Sequence, residues 1–182
     1  MDLCEPLISE KSIDIDSAVN IYSRALLRYC HSILCDYHEA QDVLQITFIK
    51  AWQNKNKFTG GDKDFSNFLY KIAYNACIDA IRKRKQRAKT PANPTEQQRD
   101  YIPENIKSAL MSLSVLDRAL IYSHAVDETA FAELAEIYGK NAANLRKRYE
   151  RARKKLSKIL SEDYPNYKNY KNCTKGENQN DK

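Results

Sequence analysis

The sequence predicts an all-α protein made of two small helical domains joined by a flexible linker. Three observations support this fold class: only 4 of the 182 residues are glycine, apolar residues recur at three- and four-residue steps, and one proline-rich stretch interrupts them. Tight turns between strands need glycine, so its scarcity argues against a β-rich or α/β fold. Steps of three and four place apolar side chains on one face of a helix.

The first domain, residues 12–88, is predicted to be a bundle of three helices. The first helix covers residues 16–35, and the second starts at a cap formed by Asp36 and extends to about residue 55. A glycine pair then marks a loop, after which the third helix covers residues 65–84. Because the connections are short, these helices are expected to pack against each other.

The second domain, residues 104–161, is also predicted to be helical. It follows a linker over residues 89–103, which contains three of the five prolines and almost no apolar side chains. Three short helices precede a long one, and Gly139 is expected to end the third of them as a left-handed cap. The polar tail, residues 162–182, is predicted to be disordered.

The last two predicted helices and the turn between them have the arrangement of a helix-turn-helix motif. In such a motif the second helix enters the major groove and presents its first turns to the base edges. An apolar seam through Leu145, Tyr149 and Ala152 is predicted to face the core. The opposite side then carries the candidates for base and phosphate contacts: Asn144, Lys147, Arg148 and Arg151.

Charge is concentrated in two segments of the chain. The net charge is +6, yet residues 82–89 contain six cations and no acid, and residues 146–158 contain eight cations and one acid. The rest of the chain therefore has a net charge of −7. Two cationic patches on an acidic body are typical of a protein that binds a polyanion. Solvated helical faces would give the same runs, so charge alone leaves both interpretations open.

The third helix mixes aromatic and basic residues, a combination that suits single-stranded nucleic acid. Bases stack on aromatic rings while cations neutralise the backbone. The alternative is that the rings form core, which we expect for Phe65 and Phe68. The aromatic and polar residues concerned are Phe65, Phe68, Tyr70 and Tyr74 with Lys71, Asn75, Arg82 and Arg84.

Several classes of function are disfavoured by what the sequence contains. No apolar stretch approaches the roughly 20 residues that span a bilayer, and the acidic start is unlike a signal peptide. We therefore expect a cytoplasmic protein without membrane insertion. The five cysteines are odd in number and lack the CxxC spacing of zinc sites. Cys30 falls on an apolar stripe, which predicts a buried thiol.

Catalysis is not expected either. The three histidines have no nucleophile or carboxylate partner at a recognisable spacing, and the sequence contains neither a phosphate loop nor a dinucleotide-binding glycine pattern. The sequence thus predicts no catalytic residues, no metal site, no cofactor and no small-molecule substrate.

Four segments together resemble the extracytoplasmic-function (ECF) sigma factors of bacterial RNA polymerase, within the sigma-70 family. They are EAQDVLQITFIKAW at 39–52, F-x-G-G at 58–61, FLYKIAYNACIDAIRKRKQR at 68–87 and NLRKRYERARKKL at 144–156. The resemblance covers about residues 16–160. It implies that the first domain is region 2, which binds core RNA polymerase and melts the minus-ten element, and that the second is region 4, which reads the minus-thirty-five element. An anti-sigma protein is a further implied partner.

The resemblance and the residue types together give three sets of candidate site residues. The polymerase-binding set is Asp42, Gln45, Thr47 and Phe48. The minus-ten set is Phe58, Lys71, Asn75, Arg82 and Arg84. The minus-thirty-five set is Asn144, Arg146, Lys147, Arg148 and Arg151. The resemblance also makes Trp52 a packing residue, and Ile46 stands where the family usually has an acid.

Two other functions remain open from the sequence. The chain would act as a stand-alone helix-turn-helix regulator if its second domain bound a palindromic site as a dimer. It would act as a redox or metal sensor if its free cysteines carried the function.

Overall fold

The computed structural model describes residues 8–9, 12–13, 15–55, 58, 61–87 and 102–163. Within these residues the chain forms seven helices and one two-stranded antiparallel ladder, which confirms the all-α class apart from the ladder. The elements are β1 (Ile8–Ser9), β2 (Ser12–Ile13), α1 (Ile15–Leu34), α2 (Tyr37–Gln53), α3 (Asp62–Arg87), α4 (Glu104–Met111), α5 (Val115–Ala125), α6 (Phe131–Tyr138) and α7 (Ala142–Asp163).

The β1–β2 ladder is the one element type that the sequence did not predict. Ile8 pairs with Ile13 and Ser9 with Ser12. Two-residue strands are too short for an alternating pattern to identify them. The predicted linker is described only at residues 102–103 and the predicted tail only at residues 162–163, so the flexibility and disorder expected of them fall outside the described residues.

The ends of the first three helices follow from local hydrogen bonds. The side chain of Asp36 accepts from the Glu39 backbone N–H at 2.9 Å, which confirms the predicted cap of α2. Helix α3 begins at residue 62, three residues before the predicted start at Phe65. Its first turn is stabilised because Asp64 accepts from the Gly61 backbone N–H at 3.0 Å, and an acidic residue suits a helix N-terminus.

Helices α1, α2 and α3 pack together as the first bundle. Its interior contains Leu26, Ile33, Val43, Phe65 and Leu69, all at most 2% exposed. The prediction that Phe65 belongs to the core is therefore confirmed. The partly buried Phe68 ring lies beside it, with ring centroids 6.2 Å apart.

Helices α4 to α7 pack together as the second bundle. Gly139 ends α6 in the left-handed conformation with φ of 61°, as predicted. Asn141 then accepts from the Ala143 backbone N–H at 2.9 Å at the start of α7. The predicted apolar seam is confirmed, since Leu145, Tyr149 and Ala152 are all buried.

The two bundles pack against each other. Helix α1 contacts α5, helix α3 contacts α6, and one continuous group of buried side chains passes through both bundles. Periodicity shows which face of a helix is buried but not which bundle it is buried against, so the sequence did not predict this packing. The boundaries 12–88 and 104–161 stay predictions.

None of the described helices is long and apolar enough to cross a membrane.

Candidate nucleic-acid interfaces and partner surface

Helix α7 presents a polar and basic face on the side opposite its buried seam. Asn144, Lys147 and Arg151 are exposed there, and Arg146 is exposed beside them. The Arg146 guanidinium lies 5.5 Å from the centre of the Phe131 ring, within the range of a cation–π contact. This face of α7 therefore combines exposed hydrogen-bonding groups with one cation that contacts α6.

Arg148, a predicted DNA contact, is half-buried beside this face and is paired within the protein, and its contact with DNA stays a prediction. Its Nε donates to the Asp117 carboxylate, and its Nη2 donates to the Ser114 hydroxyl at 2.8 Å. Ser114 is the cap of α5, so this arginine fastens the middle of α7 to the start of α5. Spacing along α7 does not show that an acid of α5 lies opposite, so this role cannot be predicted from the sequence.

Helix α3 carries a row of polar residues spaced four apart: Lys63, Asn67, Lys71 and Asn75. Lys71 and Asn75, two of the predicted minus-ten contacts, are exposed. Lys63 and Asn67 contact the second bundle instead. The structure thus places both predicted contacts on one row, next to the junction between the bundles.

The basic end of α3 is only partly available to a partner. Arg82 is exposed and pairs with Asp79 at 3.2 Å. Arg84 is half-buried: it pairs with Glu39 at 3.3 Å and donates to the Leu34 backbone carbonyl at 3.4 Å. Burial raises the pKa of Glu39, and the Arg84 charge opposes that rise. Arg84 therefore holds α3 to the α1–α2 turn, and its contact with DNA stays a prediction.

Phe58 packs onto the first bundle. Its ring meets Phe65 edge-on and Phe68 at a tilt, with both pairs of ring centroids 5.5 Å apart. The side chain is partly buried by these contacts. Most of the loop around it lies outside the described residues, so the prediction that this loop holds a base stays a prediction.

The polymerase-binding candidates on α2 divide into exposed and buried residues. Asp42 and Gln45 are exposed, as a contact surface requires. Thr47 is fully buried and donates to the Val43 backbone carbonyl at 2.7 Å, and Phe48 is buried in the bundle. The last two are therefore corrected: they support α2 from inside and do not face a partner.

An apolar stripe on α2, formed by Ile46, Ile49 and Trp52, completes the exposed face. These side chains are 39%, 54% and 55% exposed. The prediction that Trp52 is a packing residue is corrected. The spacing of these three side chains from Asp42 and Gln45 places them on the same helix face. That spacing was the signal that could have identified them.

The described cysteines and histidines do not form a metal site. Cys30, Cys35 and Cys77 are free thiols and buried, which confirms the prediction for Cys30. Within the described ranges, no group of three or more His, Cys, Asp or Glu side chains could hold a metal ion.

Comparison with known proteins gives similarities across both bundles. The model for sigma-70 region 2 matches residues 18–87, which include α1 from its fourth residue onward and the whole of α2 and α3. The ECF RNA polymerase sigma factor SigW of Bacillus subtilis (strain 168) is 31% identical over 162 residues, which cover 78% of this chain and 86% of SigW.

Two solved structures share the fold. One is the sigma factor RpoE in complex with the anti-sigma factor NepR from Bartonella quintana, with a TM-score of 0.68 and 24% identity over 81% of this chain and 97% of that one. The other is CnrH in complex with the cytosolic domain of CnrY, with a TM-score of 0.63 and 25% identity over 82% of this chain and 88% of that one.

Proposed function

The chain belongs to the ECF sigma factors of the sigma-70 family, and from this membership we propose a division of tasks among its exposed surfaces. As a member of this family, it binds core RNA polymerase and directs transcription initiation at specific promoters. The stand-alone regulator is not retained, because the similarity includes the whole first bundle, which a regulator acting through the second bundle alone would not need.

The exposed face of α2 is the proposed surface for core polymerase. Asp42 and Gln45 supply its polar part, and the apolar stripe supplies its apolar part. Large exposed apolar side chains favour binding to a complementary protein surface, because the complex buries them away from water. The single observation that supports this proposal is the 54% exposure of Ile49 on the same face as Gln45.

Replacement of Ile49 by alanine tests the surface. We expect Ile49→Ala to weaken binding to core polymerase by about fivefold, which corresponds to roughly 1 kcal/mol of lost apolar burial. Ile21→Ala on α1 is the matched control, since Ile21 is 48% exposed. Fluorescence titration of labelled protein with core enzyme gives both affinities. Equal losses from the two substitutions would contradict the assignment.

The exposed side of α7 is the proposed reader of the minus-thirty-five element. Asn144, Arg146, Lys147 and Arg151 are the exposed members of the predicted set, and Arg148 is its half-buried member. Arginine pairs with a guanine edge through two hydrogen bonds, asparagine suits an adenine edge, and lysine neutralises a phosphate. The later exposed cations of α7 add affinity that depends on salt but does not depend on sequence.

The polar row of α3 is the proposed contact for the melted minus-ten strand. Lys71 supplies a charge for the backbone, Asn75 supplies hydrogen bonds, and Arg82 extends the positive end. Single strands also gain from stacking on aromatic rings. The ring that we propose for this stacking is that of Phe68, which is partly exposed.

The remaining parts of the proposal concern partners and location. The sigma factor RpoE, whose fold this chain shares, is solved in complex with the anti-sigma factor NepR. By this similarity we propose an anti-sigma partner for this chain. We also propose that the chain acts in the cytoplasm, where core polymerase is, and that it has no catalytic activity of its own.

Run-off transcription tests the function as a whole. Core polymerase is incubated with a pool of promoter fragments, with and without the full chain. We expect discrete transcripts only when the chain is present, and none when core polymerase is omitted. Unchanged transcripts on addition of the chain would contradict the function.

A further inference from the structure

The second bundle covers one half of the polar row of α3. The Lys63 ammonium pairs with the Glu133 carboxylate of α6 at 2.6 Å, and the Asn67 amide donates to Glu136 at 3.4 Å. One step around the helix, the Tyr70 hydroxyl donates to Asp127 at 3.0 Å. Three carboxylates of the second bundle thus contact the face of α3 that leads to Lys71 and Asn75.

A buried group of hydroxyls holds the bundles together behind these ion pairs. The Tyr138 hydroxyl of α6 lies 3.1 Å from the Tyr29 hydroxyl of α1 and 3.1 Å from the Ser123 hydroxyl of α5. The Tyr138 ring also meets Tyr74 of α3 edge-on, with centroids 4.8 Å apart. Burial raises the pKa of Tyr138 to about 12, so this hydroxyl stays protonated at neutral pH. Helix α6 is therefore fixed by neutral hydrogen bonds inside and by charges outside.

The chemistry of the covering side chains matches that of the strand proposed to bind here. A single strand brings phosphates to cations and amides, and the second bundle brings carboxylates to the same row. The phosphates of the strand and the carboxylates of the second bundle are all anionic and accept hydrogen bonds. They cannot both bind Lys63 and Asn67 at the same time. Lys71 and Asn75 continue that row in the exposed direction.

We propose that the free chain is closed on itself, with the carboxylates of Asp127, Glu133 and Glu136 occupying the start of the strand-binding row of α3. Melted promoter DNA then gains the whole row only when the second bundle moves away. This inference rests on the proposed function for the role of the row, whereas the closure itself is a property of the chain without polymerase.

A buried cation at the same junction keeps the closure easy to reverse. Arg118 of α5 is 4% exposed, and its Nη1 lies 2.8 Å from the Met111 sulfur. It also contacts the Cys35 thiol, and burial lowers its pKa. Its Nε has no hydrogen-bond partner within the described part of the chain. A cation buried against sulfur atoms offsets part of the stability that the hydroxyls and ion pairs supply.

The first experiment detects the closure in the free full-length chain. A carbodiimide joins an amine directly to a carboxylate in contact with it, and mass spectrometry locates the product. We expect a cross-link between Lys63 and Glu133 in the folded chain at low concentration, and none in urea. Its absence from the folded chain would overturn the proposal.

The second experiment asks whether the carboxylates exclude a strand. The probe is a fluorescent 20-nucleotide single strand of mixed sequence, titrated with the free chain. We expect Glu133→Gln to raise the affinity about two- to tenfold, because it shifts a two-state equilibrium toward the open form. Glu150→Gln on α7 is the matched control: it changes the net charge equally, but Glu150 pairs with Arg153. Equal gains from the two variants would overturn the proposal.

A pair of tyrosine variants gives an independent check that does not change charge. Tyr138→Phe keeps the buried ring and removes the hydroxyl, and we expect it to lower the Lys63–Glu133 cross-link and raise strand affinity. Tyr149→Phe is the control, since the Tyr149 ring contacts His124 and Phe131 within the second bundle.

A third variant, Arg118→Met, removes the buried charge and should therefore raise the Lys63–Glu133 cross-link. An unchanged cross-link in both Tyr138→Phe and Arg118→Met would contradict the proposed interface.

These experiments separate the two proposals. A chain that supports run-off transcription but gives no cross-link loses only the closed state. A chain that gives the cross-link but no transcript loses only the proposed function.

Discussion

Helices α3 and α7 are the two basic helices of the molecule, and they use their aromatic and charged residues differently. On α7 the apolar seam is buried inside its own bundle, and the cations lie on the free side. On α3 the rings are divided between two neighbours: Phe65 packs within the first bundle, while Tyr70 and Tyr74 contact the second bundle.

Only one of the two basic surfaces depends on how the bundles are arranged. The face of α7 that we propose reads the minus-thirty-five element is exposed even with the bundles in contact, so duplex binding by that face needs no rearrangement. The row of α3 that we propose binds the melted strand is half covered as long as α6 lies on it. In the closed chain we therefore expect that α7 can bind the minus-thirty-five element before α3 can bind the melted minus-ten strand.

The largest expected effect separates core rings from contact residues on α3. Phe65→Ala should lower the free energy of unfolding by about 3–5 kcal/mol, because it leaves a cavity in the first bundle. Lys71→Ala, on the exposed row of the same helix, should change it by at most about 0.5 kcal/mol. Urea denaturation of the full chain measures both. A small loss for Phe65→Ala would return that ring to the candidates for base stacking.

The next effect concerns readout by α7. Arg151→Ala should cost roughly 1–3 kcal/mol of binding to the upstream element in the presence of core polymerase, and it should relax selectivity there. Arg153→Ala is the control, since this residue is also exposed and pairs with Glu150 at 3.5 Å. Competition with mutated promoter fragments measures selectivity. A uniform loss on all sequences would reassign Arg151 to a phosphate contact.

The smallest effect tests the hydroxyls at the junction through pH. Burial raises the pKa of Tyr138 to about 12, whereas the unfolded chain titrates near the usual value of about 10. The unfolded state then loses its proton first, so stability that is complete below pH 10 should fall as the pH rises toward 12. In urea unfolding at pH 9 and 11, Tyr138→Phe should show a smaller fall than the unchanged chain. Equal falls would contradict the buried position of this hydroxyl.

Local interactions explain why most of the helices could be predicted from the sequence. Asp36 caps α2 and Gly139 ends α6 through bonds within a few residues, so their sequence neighbourhood is sufficient. The predicted start of α3 is three residues too late, because Asp64 stabilises the first turn through its hydrogen bond to the Gly61 backbone N–H. The apolar pattern does not show that bond.

The pairing of two site residues depends on partners distant in sequence. Arg148 is fixed by Asp117, Arg84 by Glu39, and neither acid is visible from the spacing of its own helix. For Thr47 the resemblance identified the correct helix but could not show which of its faces is buried. The packing of the two bundles joins residues about a hundred positions apart, such as Tyr29 and Tyr138, and no periodic pattern contains that information.

The most direct test of the central claim is a selection of DNA sequences from a random library, once with core polymerase plus the chain and once with the chain alone. If two separate surfaces of one sigma factor read the promoter, polymerase plus chain should enrich two short elements at a fixed spacing, and the chain alone should enrich neither strongly. A palindrome with half-sites about one helical turn apart, enriched by the chain alone, would contradict it.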